Sequence, residues 1–301
     1  MEPANKKFAA FIMTYRRNDT LGDTIRKLLQ QSLPPQKILV VDNDPDAGAQ
    51  YVLDAFPGKN IHYHGMGFNS GPAGAAKAGL EILAAEGYEW IGWMDDDDPP
   101  VFENTFELLI SLGESRNDCG GTGVVGQRYH IHSGLIDRVR DEELITEGQL
   151  EVDNIAGNMS KIVRGRVVRE KNILPDADLF FGFEELDFDL RVQQVGFVLL
   201  ADRAFYKMHR EYYNRSGLHI VRGKEKPMNK LWREYYSIRN SLYIMHKHKS
   251  NLGKIRIIVR SMIKIPAGFR YGRKYGWKQA CMIGKGIWHY FLGRKGQTQT
   301  F

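Results

Sequence analysis

Short apolar runs that end in charged clusters, separated by stretches of helical periodicity, constrain this chain more than any other feature. Residues 8–13 (Phe-Ala-Ala-Phe-Ile-Met) have the length and apolarity of a buried strand. Asp19 is placed to cap a following helix that runs to about Gln30, with Leu21, Ile25, Leu28 and Leu29 on one side, and Pro34-Pro35 closes that unit. A second buried strand follows at residues 37–41, then a weaker one at 61–64. Asn69-Ser70-Gly71-Pro72 opens a helix whose Ala76, Leu80, Leu83 and Ala84 recur at helical spacing. Residues 88–94 form a further strand. This alternation predicts an α/β fold, a mostly parallel sheet flanked by helices.

In open sheets of this kind, ligands bind at the carboxyl ends of the strands. Three polar clusters fall at those ends: residues 14–17, Asp42-Asn43-Asp44, and Asp95-Asp96-Asp97-Asp98. Four successive carboxylates repel one another, and an immobilised cluster calls for a cation. Alternate residues of an extended segment face the same way, so Asp95 and Asp97 can share one face. Oxygen ligands suit Mg²⁺ or Mn²⁺, which complete their shells with water and substrate phosphates. A solvated acidic turn closed by Pro99-Pro100 is the plain alternative. Asp42 to Asp44 read equally well as an Asx-type turn. The Asn69 to Pro72 helix start favours an anion such as a diphosphate, although an ordinary cap explains Ser70 and Pro72 more simply.

A second acidic cluster, Glu184-Glu185-Leu186-Asp187, follows Gly182. Carboxylates in a first helical turn are favoured by the dipole, and Asp187 with Arg191 makes an i, i+4 pair. A general base is the functional alternative, and it needs a pKa raised by desolvation or by a neighbouring carboxylate. Between these clusters the pattern is mixed: residues 121–129 and 135–139 read as strands, Phe188, Val192 and Val195 as a short helix, and 197–200 as a strand. His209 follows that last strand, and a lone histidine there is more often structural than a ligand.

From Met228 onward the chain reads as helical, with interruptions at Gly253, Pro266 and Gly276, so a boundary near 225 separates a 1–225 body from a 226–301 extension. The charge of +6 is unevenly spread. No acidic residue follows Glu234, while fourteen Lys and Arg lie between Arg239 and Lys295; the first 234 residues hold 36 acidic against 28 basic residues. Ile255, Ile258, Val259 and Met262 form an apolar stripe among these charges, the pattern of a helix on an anionic membrane surface. Packing against the body with a solvated basic face is the alternative. No nucleic-acid recognition motif accompanies the charge, so nucleic acid is not an expected partner. The two cysteines, Cys119 and Cys281, have no metal-type spacing, and reduced thiols in the cytoplasm are the simplest reading. No signal-peptide pattern and no membrane-spanning apolar run is expected.

Six segments in order resemble the inverting family 2 glycosyltransferases of the GT-A fold: Phe11-Ile12-Met13-Thr14-Tyr15-Arg16-Arg17, Val40-Val41-Asp42-Asn43-Asp44, Asn69-Ser70-Gly71-Pro72-Ala73-Gly74-Ala75, Trp93-Met94 with the aspartate run, Gly157-Asn158-Met159-Ser160, and the segment from Phe183 to Arg191. The resemblance spans roughly residues 8–210 and is strongest to bacterial galactofuranosyl- and rhamnosyltransferases. It implies a nucleotide-sugar donor, UDP- or dTDP-linked, and transfer of galactofuranose or rhamnose to a glycan or lipid-linked glycan in surface polysaccharide synthesis. By position, Thr14, Arg16, Asp42 and Asn43 would line the nucleotide pocket, and Asn69 and Gly71 would lie near ribose and diphosphate. Asp95 and Asp96 would face the donor, Asp95 and Asp97 with His209 would hold Mn²⁺ or Mg²⁺, and Asn158 and Ser160 would meet the acceptor. Glu185 falls at the base position, usually Asp in that subgroup, with Glu184 as its rival. The fourth aspartate leaves Asp96 and Asp98 as an alternative metal pair.

A lipid-linked acceptor would place the enzyme peripherally on the inner face of the plasma membrane, and a homo-oligomer is compatible with all of this. Two other classes stay open at this point. A dinucleotide-dependent oxidoreductase could use a similar sheet, but no Gly-x-Gly-x-x-Gly follows the first strand. A non-catalytic binding protein would fit if the acidic clusters were only solvated turns.

Overall fold

The computed structural model describes residues 7–156, 160–215 and 226–298. Its first half runs β1 (Phe8–Thr14), α1 (Asn18–Leu29), β2 (Ile38–Asp42), β3 (Ile61–Gly65), α2 (Gly71–Ala85), β4 (Trp90–Asp95), α3 (Thr105–Glu114), β5 (Cys119–Gly123), β6 (Gly126–His130) and β7 (Leu135–Arg138). Then follow β8 (Gln149–Val152), β9 (Asn154–Ile155), β10 (Lys161–Arg164), α4 (Gly165–Lys171), α5 (Glu184–Gln194), β11 (Val198–Asp202) and α6 (Arg203–Tyr212). Three long helices close the chain: α7 (Trp232–Lys247), α8 (Asn251–Gly268) and α9 (Arg273–Phe291).

Eight strands form the main sheet in the order β3-β2-β1-β4-β10-β5-β11-β8. β3, β2, β1 and β4 are parallel, as the alternation predicts; β10 enters antiparallel between β4 and β5, and β8 closes one edge antiparallel. Both faces of β1 are buried, and its side chains alternate between two cores. Ala9, Phe11 and Met13 pack with the apolar side of α2, whereas Phe8, Ala10 and Ile12 pack with α1 and α3. Full burial of each large side chain stabilises the fold by about 1.5–3 kcal/mol, so these two layers fix the sheet position rigidly.

Several local expectations shift. Asp19 lies in the first turn of α1, whose N-cap position is Arg17 and has no side-chain cap. The 121–129 run divides into β5 and β6, which belong to different sheets. His209 follows β11, as expected, and sits within α6. Gly253 and Pro266 lie inside α8 and Gly276 inside α9. The break between those helices is instead at Gly272, whose φ of +107° suits glycine.

Across the expected boundary near 225, α7 clasps the loop that precedes α5. The amide of fully buried Asn240 donates to the carbonyls of Leu179, Phe181 and Gly182, each at 2.9 Å. The buried Arg239 guanidinium donates to the Leu179 carbonyl at 2.9 Å and the Gly296 carbonyl at 2.8 Å. Lys247 pairs with Asp187 in α5 at 2.8 Å.

Candidate active site

The parallel register brings the strand ends together. Thr14 pairs with Asp42 across β1 and β2, and Met13 with Asp95 across β1 and β4. The strand then gives way to a turn at Asp96 and Asp97. Thr14 Oγ1 donates to Asp96 Oδ2 at 2.7 Å, and Thr24 Oγ1 to the Asp96 carbonyl at 2.8 Å. These bonds pin the turn, so the alternate-face argument for Asp95 and Asp97 ends with the extended backbone. Arg17 pairs with both Asp96 and Asp97 and places a cation between them.

A cavity of about 350 Å³ opens beside this turn. Thr14, Asn43, Asn69, Gly71, Asp95 and Asp96 line it, six of the eight expected donor-side residues. The other two are held elsewhere. Arg16, with a φ of +55°, turns to Asp44 and Asp46. Asp42 is fully buried, and its carboxylate accepts from the backbone amides of Asp44 and Ala49 and from the Tyr63 hydroxyl. Both therefore shape the loop behind the cavity wall. Asn43 accepts from the Ser70 amide and Asn69 from the Gly71 amide, which fixes the start of α2. Gly71 has a φ of +69°, and a Cβ there would lie 2.2 Å from the Phe180 carbonyl oxygen, so only glycine lets the helix start meet that loop.

Sequence reasoning missed part of the wall. Arg17, Phe180, Phe181, Trp232 and Arg233 also line the cavity. Arg17 adjoins a residue that was singled out, and the Phe180-Phe181 pair directly precedes the Gly182 signal. Trp232 and Arg233 lie past the expected boundary, where no local pattern marks them.

Electrostatics set this end of the sheet apart. Burial, helped by the Asp96, Asp97 and Glu184 charges, pushes the Asp95 carboxyl up to about 7. Burial and Asp97 push Asp98 up to about 6. Glu184, at the start of α5, is pushed up to about 7 by burial, and its Oε2 is buried without a hydrogen-bond partner. Glu185 is half-buried beside it and is pushed well above the usual range by burial, then by the Glu184 charge, with Asp95 adding to it. Lys161, fully buried and paired with Asp189 at 2.6 Å, counters the rise at both glutamates.

On the other side of the aspartate turn, Asp98, Ser160 and His209 line one small cleft. Burial and the Arg215 charge lower His209 to about 4, so its imidazole is neutral at physiological pH. Asn158 lies outside the described residues. Among the described residues, no three His, Cys, Asp or Glu side chains converge as a closed metal site. Asp95, Asp97 and His209 are thus neighbours of one turn and not a preformed triad. A larger depression of about 590 Å³ beside α3 lacks any such convergence of acids and bases.

This fold agrees with the comparisons. The family model of glycosyl transferase family 2 matches residues 9–171, more than half of the chain. The chain belongs to that family and has the GT-A fold. It is 25% identical over 198 residues to the galactofuranosyltransferase GlfT1 of Mycolicibacterium smegmatis, an alignment that covers 62% of this chain and 65% of that relative. The S. aureus TarS 1-349 structure in complex with UDP-GlcNAc superposes with a TM-score of 0.54 at 13% identity, covering 94% of this chain and 81% of that one. The mannosyltransferase PcManGT from Pyrobaculum calidifontis, in complex with GDP-Man and Mn2+, gives a TM-score of 0.53 at 10% identity, covering 95% and 87%.

Proposed function

We propose that this glycosyltransferase is an inverting, divalent-metal-dependent enzyme. It transfers galactofuranose or rhamnose from a UDP- or dTDP-linked donor to a glycan or lipid-linked glycan in bacterial surface polysaccharide synthesis. The observation that carries this reading is the cavity lined by Asp95, Asp96 and the α2 start, with the raised Glu184–Glu185 pair in the field of Asp95. The relatives named galactofuranosyltransferase support the choice of sugar, and the Asp residues support the metal.

The clustered carboxylates and the neutral His209 imidazole are the ligand types a divalent cation takes, though they do not converge among the described residues, and the Arg17 guanidinium stands as positive charge between Asp96 and Asp97. Asp95, Asp97 and His209 would hold Mn²⁺ or Mg²⁺, and Asp98, which shares a cleft with His209, is the rival of Asp97. When bound, the ion would stabilise the charge of the leaving diphosphate. Glu185 takes the proton from an acceptor hydroxyl. The hydroxyl oxygen forms a bond to the anomeric carbon as the bond to the diphosphate breaks, without a covalent enzyme intermediate. Ser160, which shares a cleft with Asp98 and His209, would meet the acceptor.

Nucleoside diphosphate release, measured over a panel of nucleotide sugars with and without Mn²⁺, tests this reading. Release that is indifferent to chelation would remove the metal from it. In the same assay Asp97→Asn is expected to raise the Mn²⁺ concentration for half-maximal activity at least tenfold, and Asp98→Asn less than threefold. The reverse order would move the metal pair to Asp96 and Asp98.

The enzyme is further proposed to work on the inner face of the plasma membrane, against anionic lipid. No helix among the described residues is long and apolar enough to span a bilayer. α8 instead carries two apolar stripes. Ile257 is buried in the core shared with α7 and α9, and Ile258 packs partly against it. Ile255, Val259, Met262 and Ile263 are exposed on the opposite side. A helix that merely packs on the body has no need of the second stripe. Trp277 and Trp288, 68% and 61% exposed on α9, extend the apolar surface among Lys and Arg. Co-sedimentation with vesicles containing phosphatidylglycerol, lost with Ile255→Ser/Val259→Ser/Met262→Ser and absent with neutral vesicles, is the expected outcome. Equal binding of that variant and the parent would end the membrane reading.

A further inference from the structure

Among the described residues, α7 supplies the cavity with a cation that no ion pair commits. Two arginines line the cavity. Arg17 is spent on Asp96 and Asp97. Arg233 forms no ion pair among the described residues, and its Nε is buried without a hydrogen-bond partner. Aromatic faces hold the guanidinium in place: its carbon lies 5.2 Å from the Phe181 ring centre and 5.4 Å from that of Trp232. Phe181 and Trp232 themselves pack edge to face at 4.6 Å, so the arginine rests on a rigid platform.

A planar guanidinium with its donors unused is built to take a bidentate oxyanion. Leaving such a group half-buried and unpaired costs free energy in the empty protein, which binding of an anion would offset. Arg233 lies in the first turn of α7, a sixteen-residue helix whose start has no side-chain cap. The positive ends of α7 and α2 therefore both border this cavity, which adds to its pull on an anion. Asp95 and Asp96 line the same cavity. A diphosphate entering there needs positive charge on its far side as well as a cation among the carboxylates.

We propose that Arg233 is the residue that grips the donor's diphosphate, and that the helical C-terminal region is thereby part of the donor site. This rests on the proposed nucleotide-sugar donor and deepens it. It places a donor-binding residue beyond both the family match at 9–171 and the expected boundary at 225. Arg233 positions the diphosphate against the metal side, while the nucleoside is held at the β1 and β2 ends.

The test compares binding of UDP with uridine, and of dTDP with thymidine, to the full chain in the presence of Mn²⁺. For Arg233→Met, which keeps an apolar stem on the Phe181 and Trp232 faces, diphosphate binding is expected to weaken at least tenfold. Nucleoside binding should change less than twofold. Arg233→Lys is expected to recover part of the loss, since it restores charge without the fork. Equal weakening of nucleoside and diphosphate, or a loss that tracks a fall in melting temperature, would overturn the assignment in favour of a packing role. Unchanged UDP binding with a raised KM for acceptor would overturn it in favour of an acceptor contact. If the unaltered protein binds neither diphosphate, the donor reading itself fails, a result separable from any effect of the variants.

Discussion

Replacing Glu185 by glutamine is expected to lower kcat by about 10²- to 10⁴-fold, the range lost with a positioned general base, while donor binding stays within about twofold of the parent, as expected when only a transition-state interaction is removed. Glu184→Gln separates the two candidates. The Glu184 charge is among the causes that raise Glu185, so its removal should lower the Glu185 pKa and leave turnover largely intact. The base must be ionised to accept a proton, so activity is lost as pH falls through the raised pKa. With Glu184 pushed up to about 7 and Glu185 well above the ordinary carboxylate range, the acid limb of kcat/KM belongs near or above neutrality and describes the pair together. In Glu184→Gln that limb should move to lower pH. A Glu184 variant that loses turnover while the Glu185 variant keeps it would exchange their roles.

The second large effect is expected at Lys161. Lys161 and Asp189 are both fully buried, paired at 2.6 Å, and Asp189 also accepts from the Ile155 amide at 2.8 Å. Lys161 lies over the rings of Trp93 and Phe188 at 5.0 and 5.3 Å. Lys161→Met strands a carboxylate in the core and should cost about 3–5 kcal/mol, the usual result when one partner of a buried pair is removed. Thermal or urea unfolding reads this directly. The Lys161 charge also counters the rise of both Glu184 and Glu185. In whatever fraction stays folded, the acid limb should therefore shift to higher pH, opposite to Glu184→Gln. A shift in the same direction for both variants would show that the pair does not feel Lys161.

Much of the site was legible because it lies at strand ends. Apolar runs of strand length mark β1, β2 and β4, and whatever follows such a run must emerge at one sheet edge. The clusters that hold Thr14, Asn43, Asp95 and Asp96 were therefore marked by local pattern, and the resemblance gave each residue its expected role. Arg17 rather than Arg16 lines the cavity, where Arg16 has a positive φ, and no composition rule foretells that. Thr14 and Thr24 bond to Asp96, where the run turns, contacts across more than seventy residues that no local pattern shows. The antiparallel entry of β10 is a matter of topology, invisible to periodicity. Trp232 and Arg233 escaped because they look like the start of any amphipathic helix; only the packing of α7 on the α5 approach gives them a wall to line.

The grip of Asn240 on the carbonyls of Leu179, Phe181 and Gly182 also has a temporal side. Those three acceptors shape the approach to Glu184 and Glu185, yet their donor is made some sixty residues later in the chain. During synthesis the sheet, its aspartate turn and both glutamates emerge first, with the approach to α5 still unfastened. The fastening by Asn240 and the wall supplied by Trp232 and Arg233 come last, together with the segment proposed to meet the membrane.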